Sequence, residues 1–228
     1  MRFSRRDFLY LLFPSYMALT CKKQDIPTLT ITYPEGNEII SAQEKIVLKW
    51  LAFDIDKIDL SYTIDNGKSW TSIVQALNAS EEKFEWLTPK INTDGIKIKI
   101  NTNNTNMVQA TSESFEIWQS FIIKFFDYPD LAVVPTKIII KDKFFDSVAI
   151  ERKSVDTFTV LSLSCTHAGC TLDKVNDNLE CPCHGSVFTE NGCVLQGPAR
   201  SSLSFYTYLF DKDKESLVVF RKAIKNGC

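Results

Sequence analysis

Between Leu29 and Trp118 apolar and polar residues alternate in short runs. Ile58, Leu60, Tyr62 and Ile64 are separated by polar residues, and so are Ile96, Ile98 and Ile100. A period of two sends successive side chains to opposite faces of a strand, so each run predicts a β-strand with one face buried. The runs LTITYP, KIVLKWL, FEWL and ESFEIW predict further strands. Between Ile64 and Trp70 the polar run Asp65-Asn66-Gly67 predicts a hairpin, because Asn and Gly tolerate the positive φ that tight turns need. Short strands separated by short turns predict an antiparallel sandwich over residues 28–118.

From Ser120 onward the apolar runs lengthen: FIIKFF, KIIIKD, VAIER, TFTVLSLS, SFYTYLF and LVVFR. These runs read as longer strands, so the second half, 119–228, is also predicted to be antiparallel β and the whole chain all-β. TFTVLSLS leads straight into Cys165. Gly169, Gly185, Gly192 and Gly197 crowd into 165–200, half of the chain's eight glycines, so the backbone there must turn tightly around something.

Composition narrows the classes. The 228 residues are 44% hydrophobic and carry a formal charge of -2, which gives no basic excess for nucleic acid or for electrostatic membrane binding. Of seven cysteines, Cys165, Cys170, Cys181 and Cys183 cluster as metal ligands do, while Cys21, Cys193 and Cys228 stand apart. The chain's two histidines, His167 and His184, both fall inside that cluster. Residues 28–118 hold no histidine and no cysteine, which suits a spacer or docking module better than an active site.

The first residues read as an address. Ser4, Arg5, Arg6, Phe8 and Leu9 resemble a twin-arginine export signal, followed by an apolar run broken by Pro14. Cys21 ends that run and resembles the acylated first residue of a bacterial lipoprotein, although Ala18 and Thr20 depart from that signal's usual residues; cleavage without lipidation is the alternative. The expectation is an export signal over 1–21, a linker over 22–27 and a periplasmic or envelope location, with a lipid anchor to the membrane. Residues 28–118 in turn resemble the immunoglobulin-like modules of secreted bacterial proteins, through the hairpin residues Asp65, Gly67 and Trp70. The same string resembles the Asp-box of sialidase-like propellers, but one copy does not make a propeller.

The two Cys/His stretches are Cys165-x-His167-x-Gly169-Cys170 and Cys181-Pro182-Cys183-His184-Gly185-Ser186. Together they closely resemble the Rieske iron–sulfur signature. That resemblance implies a [2Fe-2S] cluster, one per chain, with one iron on Cys165 and Cys181 and the other on His167 and His184. It further implies a disulfide between Cys170 and Cys183, a Ser186 hydroxyl donating to a bridging sulfide, and a covering loop at Gly197, Pro198 and Ala199. Replacing two thiolates by neutral imidazoles lowers the negative charge at one iron and eases its reduction. Two Cys and two His can also make a structural zinc site, but Cys165-x-His167 is closer spaced than finger ligands and zinc leaves the two extra cysteines unexplained.

Three departures from the family pattern bear on function. Phe188 stands where high-potential members have Tyr, so one donor to a ligand sulfur is missing and a lower potential is expected. Ala168 replaces the Leu, and Arg200 the second Pro, of the apolar tip that quinol-oxidising complexes present. The resemblance therefore implies one-electron transfer to a redox partner such as a cytochrome or an oxidoreductase large subunit, with proton uptake at the imidazoles accompanying reduction. The alternative is the Rieske subunit of a quinol:cytochrome oxidoreductase. A Rieske oxygenase is disfavoured, because no histidine is left for a mononuclear iron. Cys193 and Cys228 either pair with each other or stay free.

Overall fold

A computed structural model describes residues 26–102, 108–141 and 146–228. The signal residues and Cys21 lie outside these. The described chain is all-β, with nineteen strands and only two helical turns, Ala79–Glu81 and Pro129–Ala132. No helix among the described residues is long and apolar enough to cross a membrane.

The first nine strands are β1 (Thr28–Tyr33), β2 (Ile39–Ser41), β3 (Lys45–Phe53), β4 (Lys57–Thr63), β5 (Thr71–Asn78), β6 (Lys83–Leu87), β7 (Thr93–Thr102), β8 (Gln109–Thr111) and β9 (Phe115–Trp118). They form two sheets, β1-β3-β6 and β2-β9-β7-β4-β5, with β8 paired to β7. Ile46, Leu48, Trp50 and Trp86 from one sheet meet Ile58, Leu60, Ile96, Ile98, Ile100 and Ile117 from the other in one core. This is the expected sandwich, with one difference: β2 runs parallel to β9.

The alternation read from the sequence overruns β4 by one residue, because Ile64 is half exposed. Polar chemistry ends the strand there. Thr63 Oγ1 accepts from the Gly67 N–H, and the Asp65 carboxylate takes the Ser69 N–H and hydroxyl. Those donors hold the Asp65 carboxyl well below the ordinary carboxylate range. Gly67 has φ +90°, and the Trp70 ring lies over it, its indole N–H donating to the Gly67 carbonyl. Asp65, Gly67 and Trp70 are thus a self-contained turn, which explains the motif without any catalytic role.

β9 passes into the second half through one residue, Gln119. Its N–H donates to Asn92 Oδ1 (2.7 Å) and its carbonyl accepts from the Arg221 N–H (2.8 Å). Beyond it come β10 (Ser120–Lys124), β11 (Thr136–Ile140), β12 (Val148–Arg152), β13 (Phe158–Ser162), β14 (Asp173–Val175), β15 (Asn178–Glu180), β16 (Val187–Thr189), β17 (Val194–Gln196), β18 (Phe205–Asp211) and β19 (Ser216–Ile224). A base sheet, β10-β19-β18-β13-β12-β11, and a small sheet, β14-β15-β16-β17, are both antiparallel throughout.

The base core contains Ile123, Val148, Ile150, Val160 and Val219. Buried among its rings is Arg152, whose guanidinium lies 5.2 to 5.8 Å from the rings of Phe125, Phe158 and Phe210 and donates to the carbonyls of Leu131 and Val155. Carbonyls and ring faces replace the carboxylate that a buried cation usually requires.

Candidate metal centre

Two loops, one leading from β13 into the small sheet at β14 and one between β15 and β16, share one construction. The first spans Cys165 to Cys170 and is closed by the bridge Ser164–Thr171; the second spans Cys181 to Ser186 and is closed by the pair Glu180–Val187. In each, the first cysteine's N–H donates to the carbonyl of the last residue: Cys165 to Cys170 at 2.8 Å, Cys181 to Ser186 at 2.8 Å. In each, the fifth residue is a glycine whose N–H returns to that cysteine's carbonyl, Gly169 at 2.7 Å and Gly185 at 2.9 Å. Both glycines have positive φ, +77° and +75°, a conformation that L side chains resist.

This construction buries the first cysteine and leaves the histidine two or three residues later at the surface. Cys165 and Cys181 are 2% and 3% exposed, packed with Leu163, Leu172, Leu179, Phe188, Ala199 and Leu203, and neither is in a disulfide. His167 and His184 are exposed, their ring centroids 4.8 Å apart and nearly perpendicular. Burial pushes the Cys181 thiol up, but the N–H groups of His184 and Cys183 and the Cys165 thiol all donate to its sulfur, and the net shift is downward. Donors already aimed at that sulfur favour a thiolate, the form that binds metal.

Cys170 and Cys183 are joined by a disulfide, Cα atoms 6.5 Å apart. The sulfurs of Cys170, Cys181 and Cys183 lie within 4.8 Å of one another, but two of the three are bonded together, so only Cys181 among them is free to bind metal. Cys193 and Cys228 also form a disulfide, with Cα atoms 5.6 Å apart, which resolves the alternative left open by the sequence.

A third loop, 197–204, together with Gln196 at the end of β17, joins the first two. The Ala199 N–H donates to Ser186 Oγ at 2.9 Å, Thr166 Oγ1 donates to the Ser201 carbonyl at 2.5 Å, and Gln196 Nε2 reaches the Gly185 carbonyl at 3.4 Å. Ser186 is fully buried and accepts there, which leaves its own proton for another acceptor. Gly197 and Pro198 are exposed at the loop's start. The roles of Thr166 and Gln196 were missed in the sequence, since their partners lie 35 and 11 residues away.

The paired loops present two buried free thiols, two exposed imidazoles and one buried hydroxyl with a spare proton. Residues 132–207 match the Rieske [2Fe-2S] domain, and the chain carries that domain. The donor set fits a [2Fe-2S] cluster: two sulfurs and two imidazoles for the irons, with a hydroxyl for a sulfide.

Among similar proteins, the cytochrome b6-f complex iron-sulfur subunit of Synechococcus sp. (strain JA-2-3B'a(2-13)) is 46% identical over 55 residues, 23% of this chain and 32% of that protein. The corresponding subunit of Chlorobaculum tepidum is 32% identical over 74 residues, 32% of this chain and 41% of that protein. The chain thus spans less than half the length of these curated relatives. The plasma membrane Rieske protein PetC3 from Synechocystis PCC 6803 aligns with 43% of this chain and 97% of its own, at 21% identity and TM-score 0.31. The fibronectin(III)-like modules of Clostridium thermocellum CbhA align with 40% of this chain and 95% of theirs, at 17% identity and TM-score 0.30.

Phe188, fully buried in the core that holds the two cysteines, offers no hydroxyl. A Phe188→Tyr variant is expected to raise the midpoint potential by about 60 mV. One hydrogen bond to a charged group is worth about 1.5 kcal/mol, and 59 mV is a tenfold change for one electron. A redox titration that leaves the potential unchanged or lower would count against this.

Proposed function

We propose that this chain is an exported, membrane-tethered one-electron carrier, or the small subunit of an envelope oxidoreductase, that works through a Rieske [2Fe-2S] centre held by Cys165, Cys181, His167 and His184. The observation that carries the reading is the loop pair itself: the same backbone bonds present a buried free thiol at the start of each loop, with an imidazole beyond it at the surface. When bound, the cluster supplies reversible one-electron chemistry.

The rest is the work of the chain. The buried cysteines keep water from one side of the centre, among Leu163, Leu172, Leu179 and Phe188. The exposed imidazoles give the electron a route to a partner without large movement of the protein. The Cys170–Cys183 disulfide holds the two loops together and agrees with an oxidising compartment. The export signal supports the same compartment, and Cys21 supplies the tether by lipidation. The sandwich over 28–118 serves as a spacer or docking module between that tether and the Rieske domain over 119–228.

Ser186 links potential to stability. A Ser186→Ala variant is expected to lower the midpoint potential by about 60 mV, by the same hydrogen-bond reasoning. It also leaves the Ala199 N–H without its acceptor, at a cost of about 1–3 kcal/mol. Redox titration together with thermal unfolding checks both, and a changed stability with an unchanged potential would separate Ser186 from the centre.

A second reading is the Rieske subunit of a quinol:cytochrome oxidoreductase; the relatives, named as cytochrome b6-f complex iron-sulfur subunits, favour a place in a cytochrome complex. Ala168 and Arg200 at the tip weigh against it. Quinol-dependent reduction of the purified protein in the presence of membranes would favour that second reading; reduction by a soluble redox protein without quinol supports the carrier.

A further inference from the structure

The three loops around the centre contain one charged side chain besides the imidazoles. In 164–170, 181–186 and 196–201 the residues are small, apolar or neutral, apart from Arg200. Its backbone is fixed on both sides, because Ala199 before it donates to Ser186 Oγ and Ser201 after it accepts from Thr166 Oγ1. Both partners belong to the ligand loops, so Arg200 keeps its position relative to the imidazoles. Its side chain is exposed and enters no ion pair among the described residues.

Two carboxylates of the small sheet are engaged by lysines: Glu190 sits between Lys137 and Lys174, and Asp173 pairs with Lys141. An exposed cation whose backbone neighbours are tied to both ligand loops, and which enters no ion pair among the described residues, is a local positive field on a chain whose net charge is -2. Ala168 and Pro182 are exposed on the two ligand loops and add no charge to them.

We infer that this tip is the docking surface for a redox protein whose own contact face is acidic, and that Arg200 is the residue that selects it. The inference rests on the one-electron reading above. The charge acts on encounter and orientation, since complementary fields raise association rates while adding less to final affinity. A quinol has no anionic face to meet such a cation, so an acidic protein is the occupant the charge favours.

The test uses the full chain with its cluster, reduced and mixed in stopped flow with an acidic c-type cytochrome and with a basic one of similar potential. At low salt the acidic cytochrome should be reduced faster, and its rate should fall as salt is raised. Arg200→Gln should slow that reaction roughly threefold and Arg200→Glu roughly tenfold, with most of the salt dependence lost in the first and reversed in the second. The EPR signal and midpoint potential of both variants report an intact centre, and ferricyanide oxidation reports a competent one.

With that signal present, a rate to the acidic cytochrome unmoved by Arg200→Glu, or a preference for the basic cytochrome, would overturn the inference and leave the carrier reading standing. Arg200-dependent sedimentation with phosphatidylglycerol vesicles, combined with unmoved transfer rates, would overturn it in favour of a lipid surface. A protein without the cluster signal, or one that ferricyanide does not oxidise, would bring down the one-electron reading and the inference with it.

Discussion

Replacing both Cys170 and Cys183 by Ser is expected to make the protein lose its cluster roughly 100-fold faster. The ligand loops are exposed except for their first cysteines, Ser186 and the half-buried Cys170, and each is closed by its own backbone bonds. The disulfide is the covalent link between them, since the third loop joins them only by hydrogen bonds from Ala199, Thr166 and Gln196. With a sequence separation of 13, it removes about 3 kcal/mol of loop entropy from the open chain. Without it, opening of the loops becomes roughly 100-fold more favourable, and cluster loss accompanies opening. Bleaching of the visible absorption in a chelator should therefore run roughly 100-fold faster in the double variant. Equal bleaching rates would show that the loops are held by something else.

The second large effect falls on stability and spares the centre. Cys193 and Cys228, separated by 35 residues, enclose β17, β18 and β19, and their disulfide is worth about 4 kcal/mol by the same entropy argument. The closure has further support. Asn226 Nδ2 donates to the Asn191 carbonyl at 2.6 Å, and a side chain at Gly192 would meet Leu161, Leu203 and Asn226 at 2.9 to 3.2 Å.

Replacing Cys193 and Cys228 together by Ser should lower the melting temperature by roughly 8–16 °C for a chain of this size. The midpoint potential and EPR line shape should not change, because Cys193 belongs to the turn after β16 and neither cysteine lies in a ligand loop. An unchanged melting temperature would contradict this account, and so would an altered line shape.

The contrast between the two disulfides also marks how much the sequence carries. The pairing of Cys170 with Cys183 was legible only through the resemblance of the two Cys/His stretches to the Rieske signature. The Cys193–Cys228 pairing was not, since nothing local brings together residues 35 apart. Long alternating strands such as β4 and β7 were equally plain.

The four strands of the small sheet were not, because three residues are too few to show a period. The parallel pairing of β2 escaped for the same reason. The bond from Thr166 to Ser201 escaped because a threonine hydroxyl carries no mark of its partner. At Ile64 the hydrophobic pattern misled, since the hydrogen bonds of Thr63 and Asp65 end the strand before the alternation ends.

The central claim is that the paired loops hold a [2Fe-2S] cluster on Cys165, Cys181, His167 and His184. The most direct test is an EPR spectrum of the reduced, purified chain with iron, sulfide and zinc analysis of the same sample. The account predicts two irons and two sulfides per chain and an S = 1/2 signal that is lost in a Cys181→Ser variant. Stoichiometric zinc, with no iron and no EPR signal, would contradict it.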